Sequence, residues 1–224
     1  MSETVKLTSK DGFEFDAYVA RPEGEPIAGL VVIQEIFGVN SHIRSVADGY
    51  AKDGFFVVAP AIFDRVERHV ELSYDGENGK KGYELMGKLD LAKTVEDVGA
   101  ALDYARAQTG RKTGNVGYCF GGLLSWLSAA RLHTDASVGY YAGGIGKFAE
   151  ETPKVPVMLH FGRKDSHIPA EQVEKVQALH PEVKIFWYDD AEHAFNRDVG
   201  ASYNPEAAKL ARQRSVEFLK TNLT

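Results

Sequence analysis

The sequence predicts an α/β fold: a mostly parallel central sheet with helices on both faces, stacked as a three-layer sandwich. Three observations predict it. Short apolar runs alternate with amphipathic stretches along the chain, the pattern of repeated βα units. Several of the runs are continuous rather than alternating, as parallel strands covered on both faces are. Asparagine, serine and proline stand at positions where helices would open.

The elements follow in order. Phe13 to Val19 alternates apolar and polar residues and reads as a half-buried edge strand. Leu30 to Ile33 is a short buried strand. Asn40-Ser41 caps a helix whose Ile43, Val46, Ala47 and Tyr50 share one face. Phe55 to Ala59 is the next strand. Pro60 to Gly82 is charged and glycine-rich, with weak periodicity. A long loop inside a compact domain is usually functional, so this stretch reads as a flap over the site. From Leu85 a helical stripe runs through Leu89, Val95, Val98 and Leu102 to Ala105, with a break near Gly87. Asn115 to Tyr118 ends a strand and Leu123 to Ala130 is an apolar helix. Val155 to Phe161 and Lys184 to Tyr188 are further strands. Pro169 and Pro205 each open a helix, where a missing N–H costs nothing. The whole chain, 1–224, reads as one domain.

Composition narrows the function. The chain has 224 residues, 44% apolar and 26% charged, and can hold its core without disulfides or metal. It has one cysteine, which fits a reducing, cytoplasmic compartment. Met1 to Lys10 is polar and carries no apolar signal core, and no apolar run reaches the length of a membrane helix. The formal charge of −6 and the lack of a basic cluster beyond Lys80-Lys81 argue against nucleic acid as a partner. No membrane partner and no cofactor are expected.

The chemistry gathers around Gly117-Tyr118-Cys119-Phe120-Gly121-Gly122. Small residues two before and two after a reactive side chain are what a tight strand-to-helix turn requires. Such a turn places Cys119 at a helix N-terminus, where free N–H groups and the helix dipole favour a thiolate. The N–H of Phe120 then faces a developing oxyanion. The plainer reading, a small buried hydrophobe, suits most free cysteines but not one between these glycines.

A thiol nucleophile needs a base, and the base needs an orienting acid. In α/β-hydrolases the order along the chain is nucleophile, acid, histidine. Asp165 ends the stretch from Leu159 through Gly162-Arg163-Lys164, at the carboxyl end of a strand. His193 follows the strand Lys184 to Tyr188 and precedes the last helix. Asp190 is the rival acid, but it shares a loop with the base. His160 lies inside a strand, and a metal site of His160, Asp165 and His167 lacks a dense ligand spacing. Gln34-Glu35-Ile36-Phe37-Gly38 occupies the loop that supplies the second oxyanion N–H in this fold, assigned to Ile36. Glu35, at the end of a buried strand, reads either as a desolvated carboxyl group beside the thiol or as a surface residue bonded to backbone.

Together these stretches resemble the dienelactone hydrolase (carboxymethylenebutenolidase) family. They are Gln34 to Asn40, Gly117 to Gly122, Gly162 to Asp165 and His193 to Arg197, in family order and spacing. The resemblance implies an α/β-hydrolase core and a triad of Cys119, His193 and Asp165. It implies that Glu35 helps activate the thiol, and that Ile36 and Phe120 are the oxyanion donors. It further implies that Arg197, Tyr141 and Phe37 meet the substrate, a small lactone or ester that is an anion in this family's manner, and that the protein is a monomer. The family's other arginine, before the central helix, is absent; lysines stand near it at Lys80 and Lys81, without a bidentate fork. The residue after His193 is alanine, where serine is common in the family. A different ester or thioester substrate, or a non-catalytic binding role on the same scaffold, are the alternatives.

Overall fold

The computed structural model describes residues 2–224. Eight strands form one sheet. They are β1 (Ser2–Thr8), β2 (Glu14–Ala20), β3 (Ala28–Ile33), β4 (Phe55–Pro60), β5 (Thr113–Tyr118), β6 (Ser137–Tyr140), β7 (Val157–Gly162) and β8 (Lys184–Tyr188). Their spatial order is β1-β2-β4-β3-β5-β6-β7-β8. β1 and β2 pair antiparallel with their neighbours, and every other pairing is parallel. The five strands from β3 to β7 are buried at every residue, which explains their continuous apolar runs. At the edges the chain alternates: β2 buries Phe15, Ala17 and Val19, and β1 buries only Leu7.

Six helices, α1 (Ser41–Lys52), α2 (Gly76–Gly87), α3 (Leu91–Thr109), α4 (Phe120–Arg131), α5 (Ala170–Leu179) and α6 (Pro205–Leu223), fill the crossovers and the C-terminus. α1 opens at Asn40, whose Oδ1 accepts from the N–H of Ile43 at 3.2 Å. α6 carries Pro205 in its first turn. α1 and α6 meet through the Arg212–Asp53 ion pair, and α3 meets α4 where Gly99 faces Leu132. Helices thus cover both faces of a single mostly parallel sheet, the predicted three-layer α/β architecture. Among the described residues, no helix is long and apolar enough to cross a membrane.

Three expectations change. Ser2–Thr8, read as a polar terminus, is a strand; its alternation is carried by Val5 and Leu7 alone. Ser137–Tyr140 is also a strand, too short and too broken by Gly139 for periodicity to show. The segment 60–82 is not a bare flap. It holds a 3-10 turn at Ile62–Arg65, a bridge from Gly38 to Glu71, and the first half of α2. Asp75 caps that helix, accepting from the N–H groups of Glu77 and Asn78. Four glycines in 76–87 hid the helix, because glycine is among the poorest helix formers. The break near Gly87 lies at 88–90, where Asp90 caps α3.

Candidate active site

The sequence-selected residues converge because each follows a parallel strand. Glu35 and Ile36 come after β3, Cys119 after β5, Tyr141 after β6, Asp165 after β7 and His193 after β8. In open parallel sheets the carboxyl ends of the strands are where ligands sit.

Cys119 lies between β5 and α4 with φ 54° and ψ −113°. A non-glycine residue rarely adopts such a backbone, and the surroundings must hold it there. Its N–H donates to the Tyr140 carbonyl at 3.0 Å. The flanking glycines are steric necessities. A Cβ on Gly117 would lie 1.9 Å from the Gly121 carbonyl oxygen, and one on Gly121 would lie 2.4 Å from that of Ile33.

The Cys119 Sγ lies 3.2 Å from His193 Nε2, and His193 Nδ1 lies 2.7 Å from Asp165 Oδ2. The remaining Asp165 oxygen, Oδ1, accepts the His167 N–H at 2.8 Å. Asp165 is buried, which restricts its carboxylate to these partners. Two backbone bonds, Lys164 N–H to Ala191 O and Arg163 N–H to Tyr188 O, both 2.9 Å, hold the acid loop against the histidine loop. Burial opposes a charged His193, but its bonds to Asp165 and Cys119, and their charges, outweigh that and raise it to about 10. The arrangement can therefore store a proton on the imidazole at neutral pH.

The N–H of Phe120 is the first of α4, and that of Ile36 lies on the loop after β3; neither donates to an acceptor among the described residues. Ile36 is held from outside by α2, since Gly82 packs so closely that a Cβ there would lie 2.2 Å from the Ile36 carbonyl oxygen. Glu35 is buried and its Oε2 has no hydrogen-bond partner among the described residues. It is not bonded to the thiol in this conformation. Burial raises the Tyr74 and Tyr141 phenols well above the usual range, and the Glu35 charge adds to both. Tyr141 is buried, with φ 37°, and its ring lies 5.1 Å from that of His193.

The cleft over Cys119 has a volume of about 470 Å³. Sequence reasoning missed its walls: Tyr83 and Met86 from α2, Leu89 and Leu91 from the α2–α3 junction, and Lys147 and Phe148 beyond β6. Tyr83 and Met86, three apart on one helix face, are the one signal that periodicity could have offered.

The other sequence candidates lie elsewhere. Arg197 does not line the cleft; its guanidinium stacks on Tyr74 at 4.2 Å and near Phe37 at 5.8 Å, and its Nε donates to the Val199 carbonyl. Phe37 itself packs edge-on against Tyr74, with ring centroids 4.6 Å apart. Lys81 pairs with Glu67 at 2.6 Å, and neither Lys80 nor Lys81 reaches the cleft. Asp190 pairs with Lys164 outside the site. His160 is buried between the Tyr188 hydroxyl (2.9 Å) and the Ser215 hydroxyl (3.0 Å), and burial pushes it down to about 3. It is therefore a neutral core histidine. The only potential metal cluster among the described residues joins Asp165 and His167 with His193 rather than His160.

Known relatives align with nearly the whole of this chain. The model of the dienelactone hydrolase family matches residues 15–223. A carboxymethylenebutenolidase of Pseudomonas putida is 34% identical over 98% of this chain and 96% of its own. A second, carboxymethylenebutenolidase 1 of Cupriavidus pinatubonensis, is 30% identical over 98% of this chain and 97% of its own. Among solved structures, a dienelactone hydrolase-like promiscuous phosphotriesterase from metagenomic libraries superposes with a TM-score of 0.81 at 20% identity, covering 100% of this chain and 99% of its own. A Pyrococcus furiosus esterase superposes at 0.74 with 15% identity, covering 99% and 92%. These two share the fold. The family match and the end-to-end relatives settle the rest: the chain belongs to the dienelactone hydrolase family and is a dienelactone-hydrolase-like hydrolase on an α/β-hydrolase scaffold.

Proposed function

We propose that the protein hydrolyses a lactone or carboxylic ester by covalent catalysis, with Cys119 as nucleophile, His193 as base and Asp165 as the group that orients the base. The observation that carries the reading is the unbroken line from Cys119 Sγ through His193 to Asp165, at 3.2 and 2.7 Å. A base within hydrogen-bond reach of its nucleophile, itself fixed by a third group, is the arrangement that activates a weak nucleophile.

Cys119 passes its proton to His193 and the sulfur attacks the carbonyl carbon. The oxyanion forms against the N–H groups of Ile36 and Phe120, which are fixed before the substrate arrives and need no reorganisation. His193 then protonates the leaving oxygen. In a lactone the ring opens and the released hydroxyl or enol stays tethered to the acyl-enzyme. With the sulfur acylated, His193 takes a proton from water and the acid is released. Glu35, buried next to the Ile36 donor with its Oε2 unpartnered among the described residues, assists activation of the thiol. The enzyme acts as a single domain and a monomer, in a reducing cytoplasm that keeps its one thiol free.

Cys119→Ala removes the nucleophile from an intact scaffold. Turnover of a lactone and of p-nitrophenyl esters is expected to fall to the uncatalysed rate, with the circular dichroism spectrum unchanged. Turnover retained in this variant would exclude covalent catalysis at Cys119.

A further inference from the structure

A second cavity, of about 280 Å³, lies between α1 and α6 and shares no lining residue with the cleft over Cys119. Tyr118 reaches it from the end of β5, His42 from α1, Lys209 and Arg212 from α6, and Asn196 and Asp198 from the loop after His193. Three of these residues hold buried polar atoms with no hydrogen-bond partner among the described residues: His42 Nε2, the Tyr118 hydroxyl and Arg212 Nη1. The His42 and Tyr118 side chains are both more than nine-tenths buried. A buried polar group left unpaired is costly, so three around one small cavity point to a polar guest.

The three atoms specify that guest. His42 Nδ1 faces Asp198 Oδ1 at 2.8 Å. A ring nitrogen against a carboxylate carries the proton, which leaves Nε2 of the neutral ring as an acceptor. The same bond occupies Asp198, the one carboxylate on the lining. Arg212 can only donate; its Nη2 is bonded to Asp53 and its guanidinium stacks on Tyr50 at 3.6 Å, so Nη1 is held in place. Lys209 is exposed and makes no ion pair among the described residues. The guest is therefore an anion that accepts from Arg212 and Tyr118 and gives one hydrogen to His42. Inorganic phosphate keeps a P–OH at neutral pH. A phosphate monoester, with a second pKa of about 6, has mostly lost it, and sulfate has none. We propose that this cavity is a second ligand site, that it takes inorganic hydrogen phosphate, and that the bound ion ties α1 and α6 to the loop after His193. The site goes beyond the hydrolytic reading and does not depend on it.

Titration calorimetry near neutral pH and at constant ionic strength tests this, with inorganic phosphate, sulfate and glycerol 3-phosphate as probes and chloride as the control. It is run on the wild type and on protein carbamidomethylated at Cys119, which blocks the cleft. Phosphate is expected to bind at one site in both, roughly tenfold tighter than sulfate or glycerol 3-phosphate, the scale of one charge-assisted hydrogen bond. Tyr118→Phe should weaken phosphate about fivefold, and Arg212→Met at least tenfold. His42→Phe should abolish the preference for phosphate over sulfate. Hydrogen exchange should slow at 195–203 when phosphate is added and stay unchanged in α2, a wall of the cleft. The inference is overturned if phosphate gives no heat beyond chloride, if sulfate binds as tightly, or if carbamidomethylation abolishes binding and so puts the ion in the cleft. It is also overturned if Tyr118→Phe binds phosphate like the wild type, a result that decides the matter even where Arg212→Met fails to fold.

Discussion

The backbone of Cys119, at φ 54° and ψ −113°, is a conformation that its neighbours impose. The turn closes only because Gly117 and Gly121 leave room for main chain against main chain. This single residue pattern was legible in the sequence, since glycines at fixed offsets around a reactive side chain have a steric meaning. Gly121→Ala should therefore be costly. The added Cβ meets the Ile33 backbone, which cannot swing away as a side-chain end could. A loss of about 3 kcal/mol is expected, at the upper end of the overpacking range. Chemical denaturation measures it. A stability within 0.5 kcal/mol of wild type, on the order of an ordinary surface change, would mean that the turn is not strained as described. Other residues gave no such signal. Lys147 lies on a short turn with no periodicity, and Arg197 keeps its place in a familiar motif while its guanidinium lies under Tyr74.

At the scale of elements, the sheet and the site loops separate cleanly from α2. The inner strands announced themselves by continuous apolar runs, because both faces are covered. α2 did not, because it buries only Gly82 and Leu85 and its remaining surface faces solvent or the cleft. An element that buries so little has weak local stability. Its contact with the loop proposed to supply an oxyanion donor is Gly82 on the Ile36 carbonyl. Gly82→Ala should push the helix off that loop without disturbing the sheet. The expected result is at least a tenfold loss of kcat, roughly the cost of displacing one oxyanion donor by a fraction of an ångström, with Tm nearly unchanged. Hydrogen exchange should show 76–87 opening faster than α3 in the wild type and faster still in the variant. A variant with wild-type kcat would show that α2 does not hold the donor.

Across the whole molecule, the active-site proton is coupled to folding. The parallel sheet gathers Asp165, His193 and Cys119 from sequence positions as far as 74 residues apart, a proximity that exists only in the folded chain. Order along the chain predicted the partners, but not the distances or the buried company they keep. That company raises His193 from 6.5 to about 10, after burial has worked against it. The folded protein then holds this proton more tightly than the unfolded chain. The stability it contributes is fully present below pH 6.5 and is lost as pH rises through about 10. Buried tyrosines complicate a direct pH titration. Tyr118, Tyr140 and Tyr141 are all raised well above the usual phenol range by burial, so they too cost stability in alkali. A comparison removes them. His193→Gln keeps every tyrosine and lacks the titrating imidazole, so the Tm gap between wild type and variant isolates the histidine. The gap should be largest near pH 6 and should narrow steadily to about pH 10.5. A gap that stays constant over that range would mean that the imidazole is not held protonated by its two partners, and the proton stored beside the thiol would have to come from elsewhere.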